Sequence, residues 1–217
     1  GYLASFGASA KNQIAYMDEK RELAGELTIS DLDSMQFRAK IHMAGEHASP
    51  LIYACSLADF LSIDQNKYEV VAITGNSMGW YSALALSGAL THENAYALID
   101  TMGSMMKGGI MGGQIIYSLV DDNWHIDDAK KEIVLTEIKN VGAHVSIFLG
   151  GYLVIGGEQS ALDTLLKTLP AKDNYPFQLP FHAAFHTPLL ESISRKAFGL
   201  LPQSIFQKPV IPLVDGR

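Results

Sequence analysis

The sequence predicts an α/β protein in which a strand, a sharp turn and a helix are followed by an inserted βαββαβ unit. Two observations carry this. Val70-Val71-Ala72-Ile73-Thr74 is an apolar, β-branched-rich run that meets Gly75-Asn76-Ser77-Met78-Gly79 and then the apolar stretch Trp80 to Leu86. That is the strand-turn-helix context of a Gly-x-Ser-x-Gly nucleophile elbow. Downstream, residues 112–179 switch between strand and helix patterning in the order β, α, β, β, α, β, the split βαβ arrangement of a ferredoxin-like unit.

The elements follow in order. Tyr2 to Ser9 reads as a short strand closed by a tight turn at Gly7, where backbone amides are on offer. Residues 17–47 are the most polar part, and Asp18, Glu19, Lys20, Arg21 and Glu22 read as solvated helix and loop without chemistry. Between Ala48 and Leu61, apolar residues Leu51, Ile52, Ala54, Cys55, Leu57, Ala58 and Leu61 recur at helical spacing, which predicts a helix packed beneath the Ser77 strand. Gly88 ends the elbow helix, and Thr91 with Asn94 opens another through about Met106. The inserted unit is read as strands 114–120, 145–148, 152–156 and 175–179 with helices 127–138 and 159–169. Gly108-Gly109 and Gly112-Gly113 suit a hinge into it. The expected division is a large domain of 1–111 and 180–217 and a subdomain of 112–179. Pro188 opens a last helix to Phe198.

Composition narrows the class. Of 217 residues, 48% are hydrophobic and 18% charged, with a net charge of −7. No basic stripe exists to neutralise phosphates, which excludes general nucleic-acid binding. No apolar run approaches the ~20 residues that span a bilayer, so no membrane partner is expected. A single cysteine, Cys55, excludes an intrachain disulfide, and no signal-peptide pattern is visible in the first residues; a reducing cytoplasm and a monomer are expected. Cys55 itself reads as a small core residue.

The elbow carries the chemistry. The glycines allow strained backbone at Ser77 and close approach of strand and helix. The amide of Met78 then lies where a tetrahedral oxyanion develops, assisted by the helix dipole. A serine hydroxyl needs a base. Of seven histidines, His42, His47, His92, His125 and His144 read as solvated or locally bonded surface groups. His182 and His186 remain. Their spacing fits half a metal site, but no third ligand is patterned nearby and Pro188 sets them before the helix, so no metal is expected.

Three stretches resemble the acyltransferase family typified by malonyl-CoA:acyl-carrier-protein transacylase and the acyltransferase domains of polyketide synthases. They are Gly75-Asn76-Ser77-Met78-Gly79-Trp80-Tyr81-Ser82-Ala83-Leu84, Gly151-Tyr152-Leu153-Val154-Ile155-Gly156-Gly157 and Ala183-Ala184-Phe185-His186-Thr187-Pro188-Leu189-Leu190. The likeness covers roughly residues 48–217. It implies an α/β-hydrolase-like parallel-sheet domain with the ferredoxin-like insertion lying between serine and histidine. It also implies ping-pong transfer from a CoA thioester, through an acyl group on Ser77, to the phosphopantetheine thiol of an acyl carrier protein. His186 is then the base, with no bound cofactor. The amides of Met78 and Ala8 serve the oxyanion, and Asn76, Trp80, Met102 and Phe185 line the pocket.

The departures bear on specificity. Asn76 and Trp80 replace the family's usual histidine and its glutamate or glutamine. Met102 stands where malonyl-specific members place a carboxylate-binding arginine, which points to an uncharged acyl group unless Lys107 or another cation substitutes. Family members also continue with further helix and strand where this chain stops, so a C-terminal piece is absent or the protein is shortened. Asp215 is either an orienting group for His186 or a solvated turn residue. Lys107, Arg195, Lys196 and Lys208 are candidates for meeting an acidic carrier. Two alternatives stay open: a hydrolase in which water resolves the acyl-serine, and a non-catalytic acyl- or carrier-binding module. Met78, Trp80, Met102 and Phe185 favour a dry pocket over the hydrolase, and the presence of both Ser77 and His186 argues against the binding module.

Overall fold

The computed structural model describes residues 1–215. The chain divides into two compact units, Gly1–Met105 with the stretch from Ala197 onward, and Met106–Lys196.

The first unit is helical. Where a short strand was expected, Leu3–Ser5 form a 3-10 turn that leads into α1, Ala8–Leu23. The amides of Tyr2 and Leu3 donate to the Asp33 carboxylate at 2.7 and 3.0 Å, so a side chain satisfies this backbone and no strand partner is needed. α2 (Ile29–Ser34) opens with a capping box between Thr28 and Asp31. α3 (Ala39–His42) and α4 (Gly45–Leu61) follow, then α5 (Met78–Leu86) and α6 (His92–Gly103). Thr91 caps α6 by accepting from the Asn94 amide at 3.2 Å. α4 packs against α6, α5 and α2 rather than beneath a strand. Gly45 and Gly103 let α4 and α6 touch, since a Cβ on either would sit 2.6 Å from the other's carbonyl oxygen. Met17, Ile29, Tyr53, Ala54 and Ile99 fill the core.

Two expectations fail here for physical reasons. Val70–Thr74 forms no extended strand; it makes one parallel bridge, Ile73 with Leu213. The Ile73 amide donates to the Pro212 carbonyl and the Val214 amide to the Ile73 carbonyl, both at 2.9 Å. The next rung would take an N–H from Pro212, which has none, and the run stays open, with Val71 70% exposed. Arg21, expected in solvent, is 1% exposed. Its guanidinium reaches the carbonyls of Leu27 and Glu46, Asp100 Oδ1 and His47 Nδ1, tying α1 to α4 and α6. Cys55 is half-buried against the core of this unit, and burial pushes its thiol up to about 11.

The second unit is the βαββαβ array: β1 Gly113–Ser118, α7 Asp128–Asn140, β2 His144–Leu149, β3 Tyr152–Gly157, α8 Gln159–Thr168 and β4 Phe177–Gln178. The strand order β2-β3-β1-β4 is antiparallel throughout. Ile115, Tyr117, Leu153 and Ile155 alternate onto one face and are buried with Val134 and Ile138 of α7 and Leu162 and Leu165 of α8. The other face carries Gln114 and Gly156, paired across β1 and β3. A bulge in β2 falls between Val145 and Ile147. Thr187 precedes a 3-10 turn that begins at Pro188, and α9 runs from Glu191 to Leu200.

Candidate active site

Ser77 sits at the head of α5 with φ 55° and ψ −121°. A non-glycine residue adopts this region only under constraint, at a cost of about 1–3 kcal/mol, and the constraint is visible. A Cβ at Gly75 would run into the backbone of Gly79, 2.7 Å from the amide nitrogen of Trp80, so the turn closes only on a glycine there. Gly79 faces open space, and its expected packing role is not borne out. The amides of Gly79 and Trp80 donate to the carbonyls of Asn76 and Ser77, both at 2.9 Å. The amide of Met78 is the first N–H of the helix, one that has no carbonyl within the helix to bond. Asn76 and Ser77 are exposed; Met78 and Trp80 are half-buried.

Ala8 is the first residue of α1, so its amide belongs to a helix N-terminus rather than to a strand turn. Met102 lies in the last turn of α6, half-buried. In this unit Asn76, Ser77, Met78 and Trp80 are brought together, while Ala8 and Met102 stand at the ends of other helices.

Phe185 and His186 belong to the second unit. The segment Ala183–Thr187 is tightly wound: the Phe185 amide donates to Ala183 O at 2.7 Å and Thr187 Oγ1 to Ala184 O at 2.6 Å. It lies on the sheet face opposite the helices, held by the Ala184 amide on Met111 O at 2.8 Å. Glycines make the room, since a Cβ at Gly156 would fall 2.6 Å from Thr187 Cγ2 and one at Gly112 3.0 Å from Ala184 Cβ. His186 has φ 57°, and burial holds its ring below the ordinary histidine range.

Sequence reasoning missed the groups that hold this segment. Gln114 Nε2 and Ser146 Oγ both donate to the Phe185 carbonyl, at 3.2 and 2.8 Å. Ser146 is the bulged residue of β2, and a bulge re-aims a side chain. The available signal was a glutamine at the head of the Ile115-Ile116-Tyr117 run, just past paired glycines. Three histidines expected at the surface are also engaged: His42 Nε2 lies 3.0 Å from Leu32 O, His47 takes a bond from Arg21, and His92 packs edge-on to Tyr16 at 4.9 Å. Among the described residues no group of three His, Cys, Asp or Glu could hold a metal, and no helix is long and apolar enough to cross a membrane.

A strained serine at a helix head and a two-layer βαββαβ unit define a mixed α/β protein of the α/β-hydrolase-like, ferredoxin-inserted kind. The crystal structure of MCAT from Mycobacterium tuberculosis has this fold, matching with a TM-score of 0.79 over 100% of this chain and 68% of that one at 20% identity. A malonyl-transacylase solved in complex with a type II polyketide synthase acyl-carrier protein matches at 0.74, over 95% of this chain and 65% of that one, also at 20% identity. In sequence, the malonyl CoA-acyl carrier protein transacylase of Haemophilus influenzae is 30% identical over 156 residues, 67% of this chain and 48% of that protein. The phenolphthiocerol synthesis polyketide synthase Pks15/1 of Mycobacterium marinum is 24% identical over 171 residues, 79% of this chain and 8% of that protein. The chain is thus related to the malonyl-CoA:acyl-carrier-protein transacylases and polyketide synthase acyltransferases, and spans about half the length of the Haemophilus transacylase. No protein-family model matches it.

Proposed function

We propose that this chain transfers an acyl group from a CoA thioester to the phosphopantetheine thiol of an acyl carrier protein through an ester on Ser77. The observation that carries the reading is the backbone of Ser77, φ 55° at the head of α5, the strained geometry a nucleophile elbow imposes. Relatives with transacylase names, and one solved with an acyl-carrier protein, support the donor and the partner.

In the reaction, His186 takes the Ser77 proton as Oγ attacks the thioester carbonyl carbon. The oxyanion forms against the Met78 amide, with Ala8 as the second donor. The C–S bond breaks, CoA departs as the thiol with the proton from His186, and an acyl-serine remains. The carrier thiol then gives its proton to His186, attacks the ester, and Ser77 regains its proton. A lowered pKa suits His186 to this, because the ring is a free base at neutral pH.

Asn76, Trp80 and Met102 of the first unit, and Phe185 of the second, are the residues proposed to meet the acyl group. Met102 leaves the acyl end apolar, so the favoured donor carries an uncharged acyl chain; malonyl is the donor the relatives' names suggest. Intact-mass spectrometry after incubation with acyl-CoAs tests the reading. An adduct on Ser77 that a carrier protein discharges supports transfer; turnover without carrier marks a hydrolase, and no adduct with any thioester marks a binding module.

A further inference from the structure

Gln114 lies in β1, one of the two inner strands of the sheet, and is 3% exposed, so its carboxamide must find partners inside the protein. Those partners fix its orientation. The Phe185 carbonyl can only accept, so the amide atom 3.2 Å from it is the donor Nε2. The second N–H goes to Ser146 Oγ at 2.7 Å, and the Ser146 proton goes in turn to Phe185 O. Oε1 is thereby turned to His182 Nδ1 at 2.9 Å. An amide oxygen cannot donate, so Nδ1 carries the proton and the neutral ring keeps its lone pair on Nε2. Burial lowers the His182 pKa and favours that neutral ring, and Phe185 packs edge-on to it at 5.9 Å.

The carbonyl that Gln114 and Ser146 hold belongs to the peptide bond leading into His186, whose φ of 57° is unfavourable for a residue with a side chain. A backbone in that region persists only where its surroundings over-determine it. Two donors converging on one carbonyl, from an inner strand and from a bulge, are such surroundings.

The geometry points to Gln114 as a positioning residue: one carboxamide fixes the Phe185–His186 peptide and holds His182 as its Nδ1–H tautomer, so both histidines of the segment are oriented from the same buried group. Gln114 acts through Phe185 and touches no reacting atom. The kinetic consequence rests on the acyl-transfer reading; the tautomer does not.

The test uses the full chain labelled with ¹⁵N-histidine. In the unsubstituted protein at neutral pH, His182 shows a protonated Nδ1 and a bare Nε2; a proton on Nε2 overturns the proposal without any variant. Gln114→Met removes acceptor and donor together, and His182 moves toward the Nε2–H tautomer. Gln114→Glu keeps the acceptor, so His182 retains Nδ1–H, but the variant loses the donor to Phe185. Both variants slow Ser77 acylation about tenfold, the scale of one lost hydrogen bond, with the half-saturating thioester concentration unchanged. Ser146→Ala slows acylation while leaving the His182 tautomer in place. An unaltered tautomer and an unaltered rate in Gln114→Met would overturn the proposal. Should the unsubstituted protein form no adduct at all, the acyl-transfer reading fails and the ¹⁵N spectra alone decide the role of Gln114.

Discussion

Arg21 Nη1 lies 3.0 Å from the carbonyl oxygen of Glu46, and that oxygen is the one Pro50 leaves open inside α4. A helical residue four positions on would normally donate to it, but proline has no N–H. The guanidinium fills the gap and spends its other donors on Leu27 O, Asp100 and His47.

Removing it leaves several groups unpartnered at once. Arg21→Met is expected to cost about 3–5 kcal/mol, the usual scale for breaking a buried charged network from one side. Urea denaturation followed by circular dichroism measures it. A loss below ~1 kcal/mol, the scale of an exposed pair, would mean that the network is incidental.

The same residue shows where sequence reading stops. Within Asp18–Glu22 a charge cluster looks solvated, because burial of Arg21 depends on a carbonyl freed in a different helix. Pro50 within a helical pattern was the one local hint. By contrast, β1, β2 and β3 announce themselves by apolar runs, and α6 and α7 by the caps Thr91 and Asp127, because those signals are contained in a few neighbouring residues. Val70–Thr74 carried a strand signal too, but a strand also needs a partner able to donate, and Pro212 withholds a rung. Ser77 was legible because its strain is written in Gly75. Gln114 was not, because its meaning comes from Phe185 and His182, far along the chain.

The two elbow glycines should respond in opposite ways. Gly75→Ala forces a methyl into the Gly79 backbone and is expected to destabilise by about 1–3 kcal/mol and to depress Ser77 acylation. Gly79→Ala meets open space in the first turn of α5 and should be neutral or stabilising by about 0.4–1 kcal/mol. Thermal melts and adduct yield on the two variants give the comparison; equal damage from both would show that the turn is not built on Gly75.

Histidine protonation sets the pH response. Burial lowers the folded pKa of His92, His182 and His186, while the unfolded value is about 6.5. Below that value the unfolded chain binds more protons, so the stability these groups confer is full above about pH 6.5 and is lost as pH falls toward their folded values. Acylation should rise with pH through a midpoint below the ordinary histidine value and then level off. His186→Ala should lower the plateau by at least ~10²-fold, and His182→Ala by less. Single-turnover acylation across pH checks both; a larger loss at His182 would assign the base to the other ring.

On the acyl-transfer reading, carrier recognition is local, because the chain has a net charge of −7. On α9, Arg195 is paired with Glu191 on the surface, and exposed pairs are worth only ~0–1 kcal/mol, so the guanidinium is readily recruited. Reversing Arg195 and Lys196 to glutamate should raise the KM for carrier protein, with self-acylation by CoA thioester unchanged. An unaltered KM would place the carrier elsewhere.

The acyl group turns on Met102. A carboxylate bound in a dry pocket without a cation carries a penalty of several kcal/mol, and a thioether offers no compensation. A bidentate Arg–carboxylate contact, by comparison, contributes roughly 1.5–3 kcal/mol. Met102 lies half-buried in the last turn of α6, with Met105 half-buried just beyond the helix, and flexible thioethers adapt to an alkyl chain. Acetyl or longer uncharged acyl groups should therefore load Ser77 at least as well as malonyl. Met102→Arg should shift the preference toward malonyl by about 10-fold or more, the factor that 1.5–3 kcal/mol implies. Competition between malonyl-CoA and uncharged acyl-CoAs, read from the mass of the adduct, measures the ratio directly. A strong malonyl preference in the unsubstituted chain would mean that another cation, Lys107 first among them, binds the carboxylate, and Lys107→Met should then abolish that preference.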